Sequence, residues 1–456
     1  MALSDVMGHP QRRLLCSVLL INAMILTAGC AGLGKGITEA IISRGQEEAQ
    51  PLGCEIRGQA FTGLENYMFR QDALPPLGTF NGERPALKVL MVHGIGTHQP
   101  GYALELAENL AKAMDLDVTA ENTKDLTLLS PSPEEFAAVP KYHPDPIDWP
   151  DELGTLRLYR YWNKAGTREL LFYELTWSPI SEPEKTTLIY DSSGEYEYRR
   201  ANINQQLKEF VNNYTVDPLI YAGNLREPIQ ASVGQSICWM FNTKWSDFPH
   251  GTAARCSDFA SAGMDMEDDY VMMSHSLGSR IVLDALNRMA KLLTYLPDIE
   301  GIRKAWQERE IPIFMLSNQL PLLQLGRGPP EIANQTAEYC KPTGNHYAKR
   351  YFRETRFVAF SDPNDILSYG IPPSFEEEFI DSRICPRLIN VLVNVAPAQD
   401  LFGLGELANP LAAHDGYKRD ERVIALITRG IGTTAAAPVV KENCKWMETR
   451  PVEKAP

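Results

Sequence analysis

The 456-residue sequence contains no run of 18 apolar residues and no repeat with a period of 20 to 50 residues. The first absence argues against a polytopic membrane protein, because a bilayer-spanning helix needs about 20 apolar residues. The second argues against a solenoid. Positive charge is also scarce, since 44 Lys and Arg stand against 58 Asp and Glu, for a net charge of −14. Such a surface repels phosphate backbones, so we expect no nucleic-acid partner.

Metal-binding spacings are missing as well. The eight cysteines and eight histidines form neither a Cys-x-x-Cys nor a His-x-x-x-His motif. Structural and catalytic zinc sites usually show spacings of this kind. The sequence therefore predicts no metal site.

The start of the chain has the three zones of an export signal. Arg12 and Arg13 precede a 13-residue apolar stretch, which is too short to span about 30 Å of hydrocarbon. Small residues follow, and the segment Leu26–Cys30 (LTAGC) resembles the lipobox of bacterial lipoprotein signals. The resemblance implies that residues 1–29 are a signal peptide and that Cys30 becomes the lipidated mature N-terminus. A plain secretory signal with an incidental cysteine is the alternative.

The lipobox resemblance also implies a location and a membrane partner. Ala31 follows the cysteine, as in lipoproteins that are sent to the outer membrane, so we expect a lipid-anchored protein of the bacterial cell envelope, facing the periplasm or the cell surface. Cys16 would leave with the signal peptide, and six cysteines would remain besides Cys30. Six cysteines can pair in 15 ways, and both disulfides and buried free thiols stay open as interpretations.

The remaining sequence predicts the α/β class. Residues 30–85 are interpreted as a tether and lead-in, and residues 432–456 as a C-terminal tail. Between them, short apolar strands alternate with amphipathic helices, which favours a mainly parallel sheet covered on both faces. Residues of about 180–265 are interpreted as a helical insertion, a cap or lid. The strands are predicted at 87–92, 156–162, 170–177, 269–274, 311–317, 356–360 and 388–395, the main helices at 102–114, 277–293 and 417–431, and an extended proline-rich loop at 131–150.

Ser276 lies between a predicted strand and a predicted helix, in the order of a nucleophile elbow. A sharp strand-to-helix turn holds such a serine in a strained conformation, so the residues two before and two after it must be small. Here they are Ser274 and Gly278, where Gly-x-Ser-x-Gly is the usual pattern. An ordinary strand-to-helix turn is the competing interpretation.

A second motif follows the buried strand 87–92 and contains His93, Gly94 and Gly96. Glycines at this place let backbone N–H groups approach a developing negative charge. The motif resembles the oxyanion loop of lipases and esterases of the α/β-hydrolase family. The resemblance implies that the N–H groups of Ile95 and Leu277 form the oxyanion hole, with His93 supporting the loop. A phosphate-binding loop is disfavoured, because neither Gly-x-Gly-x-x-Gly nor a Gly-Lys-Ser ending is present.

The order of the remaining residues tests this resemblance, because the α/β-hydrolase fold requires Ser, then Asp or Glu, then His along the chain. His414 is the only histidine after position 346, and it follows the last predicted strand. The candidate acids are Asp365 and Asp362, with Asp400 a more distant candidate. We favour Asp365, because Asp362 precedes Pro363 and is suited to bonding the turn itself.

Residues 86–431 are accordingly identified as an α/β-hydrolase-fold serine hydrolase with Ser276, Asp365 and His414 as its triad, a chemistry that needs no cofactor. The expected activity is cleavage of carboxylic esters, as by a lipase or carboxylesterase, with an ester or lipid-like acyl substrate. An acyltransferase, a thioesterase and an amidase share the same triad. A catalytically inactive hydrolase fold that binds the envelope is the alternative from another functional class.

Overall fold

A computed structural model describes residues 53–69, 71, 85–118, 122–137, 149–192, 200–258, 267–292, 304, 306–400, 406–432 and 436–448. The predicted signal peptide and Cys30 lie outside these residues.

Fifteen strands lie in the described residues. In chain order they are β1 (Cys54–Arg57), β2 (Phe61–Thr62), β3 (Leu87–Val92), β4 (Thr123–Leu129), β5 (Glu152–Trp162), β6 (Glu169–Thr176), β7 (Thr252–Ala254), β8 (Asp269–His275), β9 (Glu310–Leu316), β10 (Glu354–Ser361), β11 (Pro386–Val393), β12 (Gln399–Asp400), β13 (Glu406–Leu407), β14 (Gly430–Ile431) and β15 (Cys444–Met447).

The α-helices of the described residues are α1 (Leu64–Phe69), α2 (Leu104–Ala113), α3 (Pro133–Ala137), α4 (Glu182–Ile189), α5 (Asn202–Phe210), α6 (Asp217–Ala222), α7 (Arg226–Asn242), α8 (Gly278–Leu292), α9 (Leu320–Gln324), α10 (Thr336–Cys340), α11 (Phe375–Phe379), α12 (Pro410–Asp415), α13 (Glu421–Arg429) and α14 (Pro438–Asn443). Short 3₁₀ turns and one π-helical turn (Val211–Thr215) complete the helical elements that concern the site.

Eleven strands form one central sheet in the order β15-β1-β11-β10-β9-β8-β3-β6-β5-β4-β7. The six strands from β11 to β6 are parallel to one another, whereas β1 pairs antiparallel with β11 and β5 pairs antiparallel with β6. The predicted α/β class with a mostly parallel sheet is confirmed. The strand β3 explains the hydrophobic run in the sequence, because all six of its residues are buried at the centre of the sheet.

The core lies on both faces of this sheet. Leu90 and Val92 of β3 belong to one apolar cluster, whereas Val89 and Met91 belong to the other. Helices α7 and α8 contribute to the first face, and α2 and α13 contribute to the second. Alternation along the strand therefore places a helical layer on each side, as the sequence pattern predicts.

Two predicted boundaries differ from the structure. The stretch predicted as a tether and lead-in, 30–85, contains β1, and the stretch predicted as a tail, 432–456, contains β15. These two strands pair in parallel, and β1 also pairs with β11, so both belong to the central sheet. Short strands of this kind carry too little apolar periodicity to be seen in the sequence, and sheet pairing is what stabilises them.

The interval 180–265, predicted as a helical insertion, belongs in part to the central sheet and its core. Helix α7 packs against the central strands β3, β5 and β6, and it is therefore a layer of the core rather than a cap. Strand β7 extends the sheet by pairing with β4. Two local differences remain: α3 interrupts the predicted loop 131–150, and the predicted closing helix begins with a 3₁₀ turn at Gly416–Lys418 before α13.

The six cysteines of the described residues form three pairs, Cys54–Cys444, Cys238–Cys256 and Cys340–Cys385. The first joins β1 to β15 across a sequence separation of 390 residues. The second joins α7 to the 3₁₀ turn Cys256–Asp258, and the third anchors α10 to the start of β11. Among the described helices, none has both the length and the apolar character needed to cross a bilayer.

Candidate active site

The predicted site residues meet at one edge of the sheet. Strands β10, β9, β8 and β3 are parallel neighbours, so their carboxyl ends lie side by side. His93 follows β3, Ser276 follows β8, and Asp365 lies four residues after β10. In open α/β sheets this edge is where ligands bind.

Ser276 occupies the turn between β8 and α8. Its φ is 56°, a left-handed conformation that a non-glycine residue rarely adopts. The backbone N–H of Ser276 donates to the carbonyl of Leu316 at 2.9 Å, which fastens the turn to the neighbouring strand β9. The Oγ atom is buried and has no hydrogen-bond partner among the described residues. The strained strand-to-helix turn is that of a nucleophile elbow, and neither Oγ of Ser276 nor Nε2 of His414 is engaged in a hydrogen bond within the described residues.

Two glycines make room for this turn. A Cβ atom on Gly278 would lie 2.4 Å from the carbonyl oxygen of Val92, so α8 approaches the end of β3 more closely than any side chain allows. A Cβ atom on Gly94 would lie 2.5 Å from the Cβ of Ser276 and 3.0 Å from its Oγ. Ser274 is buried within β8 and its small side chain fits there, with no hydrogen-bond partner for its hydroxyl among the described residues.

The loop after β3 is held by His93. The side chain is buried, and its Nδ1–H donates to the carbonyl of Gly94 at 2.9 Å. Its Nε2 accepts from the backbone N–H groups of Trp177 at 3.1 Å and Ser178 at 3.3 Å. Burial holds the pKa of His93 well below its usual value, and the ring stays neutral. Because the Gly94 carbonyl is fixed, the N–H of Ile95 in the same peptide plane is fixed on the opposite side.

Helical residues from the predicted insertion cover the same loop. Asp217 of α6 accepts the N–H of Gly96 at 2.6 Å and pairs with Lys185 of α4 at 2.9 Å. The ring of Tyr214 lies 2.7 Å from the place where a Cβ of Gly96 would stand, and Gly96 has a φ of 92°. Sequence reasoning missed Asp217, because no local motif links it to a loop 121 residues away.

His414 and Asp365 form a pair in which the carboxylate is buried and the imidazole is half-buried. His414 lies in the last turn of α12, and its Nδ1 is 3.0 Å and 3.1 Å from the two carboxylate oxygens of Asp365. Both acceptors are carboxylate oxygens, so Nδ1 carries the proton and Nε2 has the free lone pair. Burial alone would raise the pKa of Asp365, but hydrogen bonds from His414, Ser317 and the N–H of Leu367 outweigh it, and the pKa is lowered.

The carboxylate of Asp362 accepts hydrogen bonds from backbone N–H groups and not from His414. Its Oδ1 accepts the N–H of Asn364 at 2.7 Å, and its Oδ2 accepts those of Val395 at 2.6 Å and Ala396 at 3.1 Å. These bonds close the turn after β10 and tie it to the loop after β11. Burial raises the pKa of Asp362, although the three N–H groups oppose the shift. The side chain of Asp400 lies outside the described residues.

Two further side chains contact His414, and sequence reasoning assigned neither contact. Ser317, directly after β9, donates from Oγ to Asp365 at 2.6 Å, and the same Oγ lies 2.9 Å from Nδ1 of His414. His275, the residue before Ser276, donates from Nε2 to the carbonyl of His414 at 2.9 Å. Burial and the neighbouring His414 lower the pKa of His275 to about 4. The signal in the sequence was the position of both residues at strand ends.

The two residues predicted to supply the oxyanion hole directly follow Gly94 and Ser276, which lie against each other. Leu277 is the residue before α8 begins, where helical N–H groups have no intrahelical acceptor and the helix dipole favours negative charge. Ile95 is half-buried in the loop fixed by His93. Within the described part of the chain, no group of three His, Cys, Asp or Glu side chains is placed to hold a metal ion.

Comparison with known proteins adds no family to this geometry: no protein-family model, curated protein or solved structure matches the chain.

The contact between Gly94 and Ser276 leads to a first prediction. We expect Gly94→Ala to reduce kcat/KM for an ester substrate by about 10²- to 10³-fold, the usual effect of losing one oxyanion donor, because the new methyl group must displace the loop or Ser276. Steady-state kinetics measures it. Gly234→Ala in α7 is the matched control, since a Cβ there meets nothing within 4 Å. Wild-type kinetics in the Gly94 variant would contradict the assignment of the loop.

Proposed function

We propose that the chain is a serine hydrolase that cleaves carboxylic esters through an acyl-enzyme on Ser276. The observation that carries the proposal is the meeting of three features at one sheet edge: the left-handed Ser276 with a buried, unpartnered Oγ, the His414–Asp365 pair, and the glycine loop against Ser276. The α/β-hydrolase fold is part of the same proposal, since Ser276, Asp365 and His414 follow one another in the order that this fold requires.

Acylation follows from the protonation states at the site. His414 has its proton on Nδ1, and its Nε2 is buried without a hydrogen-bond partner among the described residues. The Nε2 lone pair takes the proton of the Ser276 hydroxyl as Oγ attacks the ester carbonyl carbon. The carbonyl electron pair moves to its oxygen, and Asp365 stabilises the imidazolium that forms. The tetrahedral intermediate then collapses, and the imidazolium gives its proton to the leaving alcohol.

Deacylation repeats these steps with water as the nucleophile. His414 accepts a proton from water, the hydroxide oxygen bonds to the acyl carbon, and Oγ leaves with the proton from the imidazolium. In both halves the negative oxygen is stabilised by the N–H groups of Ile95 and Leu277, which supplies about 3–4 kcal/mol per donor in comparable sites.

The segment Glu182–Ala222 is the proposed lid. It contacts the oxyanion loop through Asp217, Tyr214 and the hydrogen bond from Thr97 to Glu182 at 2.5 Å. A helical cover of this kind excludes water from an acyl group and can open to admit it. An ester with an apolar acyl chain suits such a site better than a strongly polar substrate.

Labelling with a fluorophosphonate probe tests the function, because such probes react with an activated serine. We expect one adduct per molecule, located at Ser276 by mass spectrometry, and turnover of p-nitrophenyl esters by the same preparation. Parallel assays with thioesters, amides and an acyl-acceptor alcohol separate ester hydrolysis from the other acyl-transfer reactions. A folded protein that neither reacts with the probe nor turns over any of these substrates would contradict the proposal.

We propose that the protein is located in the cell envelope and that Cys30 carries its lipid anchor. Three disulfide pairs are compatible with an oxidising compartment such as the periplasm, since cytosolic proteins rarely keep disulfides. An anchor on Cys30 would be followed by 22 residues before the described chain begins at Gly53.

We expect Cys30→Ser to block lipidation and signal processing, because the lipobox resemblance rests on that thiol. Mass spectrometry of the N-terminal peptide and membrane fractionation measure the outcome. Cys16→Ser, in the apolar stretch of the signal, is the matched control and should be processed normally. An unlipidated wild-type N-terminus would favour a plain secretory signal instead. Two or three acyl chains give durable anchoring, whereas one chain binds a membrane only marginally.

A further inference from the structure

Ser317 is placed where three parts of the site meet. It directly follows β9, which lies between the strand that leads to Ser276 and the strand that leads to Asp365. The residue is fully buried, and its φ of 51° is left-handed. Such a conformation is strained for a non-glycine residue and persists only where the surrounding structure holds it. A serine in this position turns its hydroxyl toward the His414–Asp365 pair.

The hydroxyl of Ser317 makes two contacts that complement each other. Its proton goes to Oδ2 of Asp365 at 2.6 Å, because an ionised carboxylate can only accept. The lone pair of the same oxygen then faces Nδ1–H of His414 at 2.9 Å. The Nδ1 proton of His414 therefore has three oxygen acceptors nearby, two from the carboxylate and one from the hydroxyl, all within 3.1 Å of Nδ1.

We propose that Ser317 is a positioning residue of the base: it fixes the plane of the Asp365 carboxylate and shares the Nδ1 proton of His414, so that the proton stays on Nδ1 and Nε2 keeps its lone pair. The role rests on the proposed function, because it matters for rate only if His414 acts as the base. Ser317 itself touches no reacting atom.

The electrostatics of the carboxylate agree with this role. The Ser317 hydrogen bond is one of the interactions that hold the pKa of Asp365 below its usual value against the opposing effect of burial. The titratable groups that face Asp365 are His414 from α12, Asp362 from its own loop, and Tyr417 from the turn after α12. Removal of the hydroxyl raises the pKa of Asp365. A carboxylate that must be ionised for activity then begins to lose its charge at a higher pH.

Two variants separate the effect of the Ser317 hydroxyl from the effect of its left-handed backbone. Ser317→Ala removes the hydroxyl and keeps a Cβ in the left-handed conformation, whereas Ser317→Gly removes the hydroxyl and suits that conformation. Ser361→Ala is the matched control: Ser361 ends β10, the next strand, and its buried hydroxyl has no hydrogen-bond partner among the described residues. Thermal melting checks that each variant is folded.

We expect both Ser317 variants to lower kcat by about ten- to a hundredfold, the usual effect of losing a hydrogen bond to a charged group, with little change in KM. Ser361→Ala should match the wild type in both constants. Proton NMR gives a readout that needs no turnover: the Nδ1–H resonance of His414, assigned with His414→Gln, should shift and exchange faster in both Ser317 variants.

The outcomes distinguish this inference from the proposed function. If the wild type neither reacts with the probe nor hydrolyses esters, the function fails, and the NMR comparison still decides the contact. An unchanged kcat in both Ser317 variants of an active enzyme overturns the inference alone. A loss confined to Ser317→Ala also overturns it, since the backbone would then be responsible. An unchanged Nδ1–H resonance in both variants overturns it whatever the activity.

Discussion

Ser276→Ala is expected to abolish fluorophosphonate labelling and to lower kcat for a short-chain p-nitrophenyl ester by on the order of 10⁶, as loss of the nucleophile does in serine proteases. The Oγ atom of Ser276 is the one that His414 would activate, and no other bond in the described structure depends on it. The fold should be unaffected, because alanine occupies the same volume less one oxygen. Active-site titration and steady-state kinetics measure both effects.

Ser361→Ala is the control for this substitution, since it removes a buried, unpartnered hydroxyl from the end of β10, two strands away from β8. Its far-UV spectrum, labelling and kcat should equal those of the wild type. Persistent labelling of the Ser276 variant would place the nucleophile elsewhere and reject the proposed acyl-enzyme.

Asp365→Asn is expected to lower kcat by up to about 10⁴-fold while the protein remains folded. The Asp365 carboxylate keeps the His414 proton on Nδ1 and stabilises the imidazolium. An asparagine amide can instead present its NH₂ group to the ring and favour the tautomer with the proton on Nε2, which cannot accept a proton from Ser276. Steady-state kinetics on the same p-nitrophenyl ester measures the effect.

Asp362→Asn is the matched comparison, because the two aspartates are buried in the same loop. Three backbone N–H groups point at the Asp362 carboxylate, and an asparagine offers only one acceptor atom to them. A buried N–H left without an acceptor costs about 1–3 kcal/mol, so the melting temperature should fall by several degrees with a much smaller loss of kcat. A crippled Asp362→Asn enzyme beside a normal Asp365→Asn enzyme would reverse the two roles.

Several local patterns in the sequence determined what the structure contains. The six-residue run at Leu87, apolar except for Lys88, stops at His93 and Gly94, and it forms a central, fully buried strand. The run before Ser276 and the amphipathic residues after it form β8 and α8. Asp362 before Pro363 is a turn-forming pattern, and its carboxylate bonds that turn. These features depend on residues a few positions apart, so periodicity, side-chain size and turn chemistry suffice to predict them.

The tertiary structure alone decided which distant residues meet. Ser317 is 97 residues from His414, Asp217 is 121 from Gly96, and Cys54 is 390 from Cys444. Each contact follows from the order and direction of strands in the sheet, which brings the carboxyl ends of β9 and β10 side by side and pairs β1 with β15. Strand order is set by the packing of both faces of the sheet against helices, and the free energy of this packing is spread over many residues. The sequence therefore determined the central strands and the turn at Ser276, whereas the packing of the sheet determined the neighbours that hold His414 in place.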